Sequence, residues 1–361
     1  MRILVATDLW FPHTNGVVRT LTSLADALQR LGVEVAFLTP EGMRVIALPH
    51  APDIRIALPD PRNVAAQISA FAPDAIHIAT EGPVGLATRW YCRRRRRPFT
   101  TSFHTRLADM MAARWSIPER LTWGWLRWFH NGGRGVMTSS ASLADELTAR
   151  GFRNVLRWPR GVDALLFRPR ADASLGLLRP IFLTVGRLAA EKNVGAFLGL
   201  DLPGTKVVVG EGPARDGLAR RHPKTIFLGV KDAGDLARIY AAADVLVFPS
   251  RTDTFGIVLL EALACGTPIA GFPVAAARDV LGDAPVAVLD EDLRAACLRA
   301  LALSRTDCRA FAQTMSWDDC ARAFLDNIQH AGVVASTTPI IDALRAATAR
   351  AERKTAAPAI G

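Results

Sequence analysis

No run of eighteen uncharged apolar residues occurs in this sequence, which excludes an ordinary membrane-spanning helix. Cysteine is scarce and odd in number. Cys92, Cys265, Cys297, Cys308 and Cys320 have no metal-ligand spacing and suit a reducing cytoplasm. The opening Met1-Arg2-Ile3-Leu4-Val5-Ala6-Thr7-Asp8 meets an acid too soon for a secretory signal peptide. The turn that follows, Phe11-Pro12-His13-Thr14-Asn15-Gly16-Val17, is not a Gly-x-Gly-x-x-Gly sequence, which counts against a nicotinamide dehydrogenase. No recognised nucleic-acid module is present, so nucleic acid is not an expected partner.

What is present is a globular chain of 361 residues, half of them hydrophobic, long enough for two domains of ordinary size. Its net charge of +10 favours anionic partners, among them nucleotides and anionic membrane surfaces.

Short apolar strands alternate with helical stretches. Strands are expected at 3–6, 33–39, 75–79, 99–103 and 135–139, with a helix over 18–31 stopped by Gly32. The pattern breaks at Arg160-Gly161-Val162-Asp163 and Phe167-Arg168-Pro169, which reads as an interdomain linker. A second series follows, with strands at 181–185, 206–209, 225–228, 245–248, 269–270 and 286–289. Both halves predict parallel, doubly wound α/β sheets, which bind ligands outside the carboxyl ends of their strands. A helix from about Ser316 places Trp317, Ala321, Phe324 and Ile328 on one side. The Ala-, Thr- and Arg-rich tail over 331–361 is expected to be weakly ordered.

The candidate chemistry falls just after these strands. After 245–248 comes Asp253-Thr254-Phe255-Gly256-Ile257, then a helix carrying Glu261. Unpaired N–H groups at its start, over Thr254, Phe255, Gly256 and Ile257, suit a phosphate. Glu261 suits ribose hydroxyls, and Asp253 suits a sugar hydroxyl. The plainer reading makes Asp253 a capping acid and Glu261 a solvated helix residue. After 181–185 comes Gly186-Arg187-Leu188-Ala189-Ala190-Glu191-Lys192-Asn193, whose Arg187 and Lys192 can neutralise two phosphates. After 206–209 comes Gly210-Glu211-Gly212-Pro213, where glycine permits close approach of a nucleotide. Lys231 and Asp232 follow the next strand.

In the first half, Gly16 allows close approach at a helix start, beside Asn15. His104 ends the strand 99–103 within Thr101-Ser102-Phe103-His104-Thr105-Arg106. Arg93, Arg94, Arg95, Arg96 and Arg97 are consecutive, and five of the eight tryptophans lie between Trp90 and Trp128. Arginines beside Trp123, Trp125 and Trp128 suit a membrane interface carrying anionic lipid. The alternative is a solvated arginine face beside a filled core.

Together these elements resemble the retaining GT-B glycosyltransferases of the family 4 (group 1) type, from Met1 to about His330. Gly186-Arg187-Leu188-x-x-Glu191-Lys192-Asn193 and Phe103-His104-Thr105 match that pattern. Asp253-x7-Glu261 stands where the family has Glu-x7-Glu, and Asn15-Gly16 where it usually has Gly-Gly. The resemblance implies two Rossmann-like domains facing a cleft: an acceptor-side domain over 1–160 and a nucleotide-sugar domain over 170–315. It also implies that the helix over 316–330 crosses back to the first domain, and that Lys231 and Asp232 contact the base.

It further implies a retaining, metal-independent hexosyltransfer, with no cofactor beyond a GDP-mannose or UDP-sugar donor. Arg187 and Lys192 would stabilise the leaving diphosphate, Glu261 the ribose, and Asp253 and His104 the sugar. Asn15, Gly16 and Gly210 would approach the donor. The wording is close to bacterial GDP-mannose-dependent α-mannosyltransferases and to glycosyl- and sulfoquinovosyl-diacylglycerol synthases, so a lipid acceptor at the inner membrane face is expected. The alternatives are a soluble or polysaccharide acceptor, a nucleotide-sugar epimerase, or a non-catalytic basic membrane-binding protein. The last would leave Arg187, Lys192, Asp253 and Glu261 unexplained.

Overall fold

A computed structural model describes residues 1–10, 16–48, 51–115 and 117–334. Contacts divide the chain into two units: Met1–Pro159 together with the segment from Trp317, and Arg160–Ser316.

The first unit runs β1 (Arg2–Ala6), α1 (Gly16–Arg30), β2 (Glu34–Leu38), β3 (Arg44–Leu48), β4 (Ala51–Leu58), α2 (Pro61–Phe71), β5 (Ala75–Ile78) and α3 (Pro83–Arg94). It continues with β6 (Thr100–Phe103), α4 (Leu107–Trp115), α5 (Glu119–His130), β7 (Gly135–Thr138), α6 (Ala141–Ala149) and β8 (Val155–Arg157). Its parallel sheet has the order β2-β1-β5-β6-β7-β8. β5, β6 and β7 are buried at every position, as strands covered on both faces must be. Such burial requires that polar side chains be satisfied within the sheet. His77 in β5 meets this demand, with Nδ1 2.8 Å from Thr100 Oγ1 and Nε2 3.1 Å from Ser102 Oγ.

The second unit runs β9 (Ile181–Val185), a 3-10 turn (Ala190–Lys192), α7 (Val194–Leu198), β10 (Thr205–Val209), α8 (Arg215–Arg221), β11 (Ile226–Phe227), α9 (Ala233–Ala242) and β12 (Val245–Phe248). Then come α10 (Ile257–Ala264), β13 (Ile269–Gly271), α11 (Ala275–Leu281), β14 (Ala287–Leu289), α12 (Leu293–Ala300) and α13 (Arg305–Gln313). The sheet order is β11-β10-β9-β12-β13-β14, again parallel. Period-two alternation feeds two cores. Leu246 and Phe248 of β12 enter one, Val245 and Val247 the other.

The segment expected as a linker is packed into this unit. Val162 and Phe167 are buried, and Arg309 donates to the carbonyls of Ala164, Phe167 and Ala264. The chain then returns to the first unit as α14 (Trp317–His330), which packs on α1. Arg30 pairs with Asp318 at 2.6 Å, and Trp158 Nε1 donates to the Cys320 carbonyl at 3.2 Å. Phe324 is fully buried, its ring centroid 5.0 Å from that of Trp158 and 4.9 Å from that of His77.

The expected strands are present, and three further features appear. β3 and β4 form an antiparallel ribbon whose Val45, Ile46 and Leu58 are exposed, so neither a core face nor a short turn signal marks it in sequence. β8 is a three-residue edge strand. α10 begins at Ile257, directly after Gly256, which lies in the left-handed region at φ 81°. The tail expected to be weakly ordered lies, from residue 335, outside the described residues.

Removing the Phe324 ring should destabilise the first unit by about 3–5 kcal/mol, the usual cost of a fully buried Phe→Ala truncation. Urea unfolding of Phe324→Ala checks this, and a cost under about 1 kcal/mol would mean that α14 is not part of this core.

Candidate active site

In a doubly wound sheet the chain leaves neighbouring strands in opposite directions at one point, and a crevice opens there at the carboxyl ends. In the second unit that point lies between β9 and β12. The loops after these strands carry the residues singled out in sequence, and the structure joins them. Lys192 Nζ lies 2.6 Å from Asp253 Oδ2, a charge-assisted bond between half-buried groups. The other Asp253 oxygen accepts from the Thr254 amide at 3.0 Å, and Asn193 Nδ2 donates to the Pro249 carbonyl at 3.1 Å. Both Asp253 oxygens are therefore held. Arg187, on the same loop as Lys192, is exposed.

The loop after β10 packs on this layer through glycine. Gly210 has φ 132°, and a Cβ there would lie 1.9 Å from the Gly186 carbonyl oxygen. The Leu188 amide donates to the Glu211 carbonyl and the Ala214 amide to the Leu188 carbonyl, both at 2.9 Å. Contact between the two loops thus accounts for glycine at Gly210 without a ligand.

Glu261 is 2% exposed, which corrects the reading of it as a solvated helix residue. Its Oε2 accepts from the Tyr240 hydroxyl at 3.1 Å. Tyr240, in α9, was not identifiable from sequence because no motif contains it. Thr254, Phe255 and Gly256 ahead of α10, and Ile257 at its start, are half-buried, and the N-cap residue Gly256 supplies no side-chain cap. Asp232 caps α9, accepting from the Asp235 amide at 2.8 Å. Among the described residues, no group of three or more His, Cys, Asp or Glu side chains is placed to hold a metal ion.

The corresponding point of the first sheet, between β1 and β5, is built differently. Asp8 follows β1 and accepts from the Val84 amide at 2.7 Å, the Gly85 amide at 3.3 Å and Thr80 Oγ1 at 2.8 Å. A carboxylate thus occupies the start of α3, where its negative charge meets the helix dipole. Gly82 makes room for it, since a Cβ there would lie 2.5 Å from Asp8 Cγ. Burial pushes the Asp8 carboxyl above its ordinary value, against the opposing hydrogen bonds and with Glu81 adding to the rise. Glu81 in turn meets His130 Nε2 at 3.2 Å, and His130 Nδ1 meets Thr101 Oγ1 at 2.9 Å. Sequence reading missed Asp8, Glu81 and His130; the acid closing β1 was the one available signal.

His104 follows β6, its ring edge-on to Trp158 at 5.8 Å. Gly16 opens α1 and is exposed, while Asn15 lies outside the described residues. The basic segment belongs to the other end of the sheet, since Arg97 precedes β6 and His104 follows it. Arg93, Arg94, Arg95 and Arg96 are exposed, and Arg97 is half-buried with its guanidinium on the Pro73 carbonyl. Trp123 does not face outward. It is 6% exposed, stacked on Phe103 at 5.9 Å, because the core face of α5 claims it. Trp125 is half-buried against Phe129, and Trp128 is exposed.

Comparison with known proteins agrees with this geometry. Residues 14–164 match Glycosyltransferase Family 4, and residues 179–304 match Glycosyl transferases group 1. A GDP-mannose-dependent alpha-mannosyltransferase of Mycolicibacterium smegmatis is 30% identical over 310 residues, covering 78% of this chain and 82% of that protein. An alpha-monoglucosyldiacylglycerol synthase of Streptococcus pneumoniae is 27% identical over 349 residues, covering 83% of this chain and 78% of its own. The solved structure of HepE from Anabaena in complex with UDP-glucose superposes with a TM-score of 0.67 at 16% identity, covering 91% of this chain and 100% of that one. The fold is GT-B.

Asp8 supplies a test of the first unit. Its folded pKa lies above the unfolded value, so its contribution to stability is fully present below about pH 4 and is lost as pH rises through the folded pKa. The stability of the wild type relative to Asp8→Asn should therefore fall from pH 4 towards neutrality and then level off. Denaturant melts across that range check this, and a pH-independent difference would contradict it.

Proposed function

The chain belongs to glycosyltransferase family 4, and from that premise we propose that it moves a hexosyl group from a nucleotide sugar to a membrane lipid, without a metal and with retention of anomeric configuration. The observation that carries the reading is the meeting of Lys192 and Asp253 at the switch point of the second sheet, with Arg187 on the same loop. Departure of a nucleoside diphosphate concentrates negative charge on the phosphates. Arg187, Lys192 and the amides at the start of α10 would offset that charge, so this route requires no metal. Glu261, held by the Tyr240 hydroxyl, would accept hydrogen bonds from the ribose. Asp253 would hold a sugar hydroxyl. The Phe-His-Thr resemblance implies a sugar-orienting role for His104.

Retention follows if the acceptor attacks from the face the diphosphate leaves. A leaving-group oxygen then takes the acceptor's proton, the new glycosidic bond forms as the bond from the anomeric carbon to the diphosphate oxygen breaks, and no separate base is needed. A lipid acceptor is supported by the pneumococcal relative, whose name describes synthesis of a glucosyldiacylglycerol, and by the arginine-rich end of the first unit. No described helix is long and apolar enough to cross a membrane, so the reading is of an enzyme that meets its acceptor at the membrane surface.

Transfer from a panel of GDP-mannose, UDP-glucose, UDP-glucuronate, UDP-galactose and UDP-sulfoquinovose into liposomes containing diacylglycerol tests this. One donor should yield a labelled lipid with the donor's anomeric configuration. Glu261→Ala should cost about 2–3 kcal/mol of donor binding, as expected for truncating a buried charged hydrogen-bond partner. Donor binding without lipid product would redirect the acceptor to soluble sugars or polysaccharide. Unchanged donor affinity in the variant would remove Glu261 from the site.

A further inference from the structure

A cavity of about 170 Å³ opens at the amino end of the first sheet, lined by Arg93, Arg96, Arg97 and Arg134 together with Phe99 and Gly132. Phe99 leads into β6 and His104 leaves it, so this cavity and the functional loops lie at opposite ends of the strand. One of these arginines, with its neighbour Arg94, has a local explanation. Arg93 and Arg94 occupy the last turn of α3, where cations offset the helix dipole. That explanation does not reach Arg96 and Arg97, beyond the helix, or Arg134, which comes from the turn before β7.

The backbone is shaped to bring them together. Arg96 sits in the left-handed region at φ 53°, where glycine is usual at a helix end. The turn lets the Arg97 amide donate to the Cys92 carbonyl at 2.8 Å, and the Arg97 guanidinium is anchored on Pro73. The Arg134 amide donates to the Phe99 carbonyl at 2.8 Å, fixing the opposite wall. Among the described residues, no carboxylate pairs with Arg93, Arg96, Arg97 or Arg134, whereas Arg106 is clamped by both Asp109 and Glu146. Four arginines with no carboxylate partner line one small cavity, and like charges gathered in this way favour an anion that joins them. The planar donor fork of arginine matches phosphate oxygens in pairs.

We propose that this cavity is a second anion site, which binds a phosphate ester and is separate from the donor site. Exposed aromatic residues on α3 and α5, the helices that carry or precede these arginines, favour a lipid headgroup over a free metabolite as its source. Trp90 and Trp128 are 51% and 53% exposed, and each carries a guanidinium over its ring, Arg94 at 5.5 Å and Arg89 at 3.8 Å. Arg89 also lies against the cavity-lining Gly132, where a Cβ would come within 2.6 Å of its Nη2. Exposed indoles paired with cations beside a phosphate pocket match the layering of a bilayer surface, with apolar rings below the headgroup phosphates. The choice of a lipid source rests on the membrane reading of the proposed function, whereas the anion site itself shares none of the donor residues.

The test uses the full chain with two probes: phosphatidylcholine vesicles with or without phosphatidate, by co-sedimentation, and soluble glycerol phosphate, by calorimetry. Arg96→Ala/Arg134→Ala should weaken phosphatidate-vesicle binding at least tenfold. Arg62→Ala/Arg220→Ala, which removes the same charge elsewhere, should change it less than twofold. Should the alanine pair fail to fold, Arg96→Lys/Arg134→Lys keeps the charge, loses the fork, and should still bind several-fold more weakly. Saturable binding of glycerol phosphate with no vesicle binding would keep the site and make a free ester its ligand. Equal loss in the two alanine pairs, or no response to either probe in the wild type, would overturn the proposal.

Discussion

The contact between Lys192 and Asp253 is the interaction on which the candidate site depends. It ties the loop after β9 to the loop after β12, the two strands from which the second sheet winds outward in opposite directions. Without it, the cation proposed for the phosphates and the acid proposed for the sugar would sit on separate loops. With it, both approach at 2.6 Å, and the second Asp253 oxygen is fixed by the next amide. Such a pair is already ordered before a donor arrives, so less conformational freedom is lost on binding. The close glycine contact between Gly186 and Gly210 extends the ordered layer to a third strand end.

The two sheets share one winding pattern but treat their switch points in opposite ways. In the first unit Asp8 satisfies the amides at the start of α3, so the position favourable to an anion is filled from within the chain. In the second unit α10 starts at a left-handed glycine with no side-chain cap. One fold, used twice, thus yields one self-capped end and one uncapped end beside a basic loop. This asymmetry is the physical feature that the proposed placement of the nucleotide sugar in the second unit draws on, beside the resemblance.

Much of this was legible in the sequence, because parallel strands buried on both faces read as short apolar runs and functional loops follow them directly. Lys192, Asp253 and Glu261 were singled out that way, and the structure brings Lys192 and Asp253 into contact. What escaped was set by tertiary contact. Tyr240 reaches Glu261 from a different helix, and Asp8 caps a helix more than seventy residues further along. Trp123 looked like an interfacial aromatic from composition alone, yet the helical period of α5 turns it onto Phe103. The arginine run was visible, but its cavity depends on Arg134, which is remote in sequence.

The most direct measurement compares nucleoside mono- and diphosphate affinities in the wild type and in Lys192→Met. If Lys192 serves the leaving diphosphate, the variant should lose most of the extra affinity that the second phosphate confers, while binding the monophosphate nearly as before. An undiminished preference for the diphosphate would contradict the account and separate the Lys192–Asp253 pair from the chemistry of transfer.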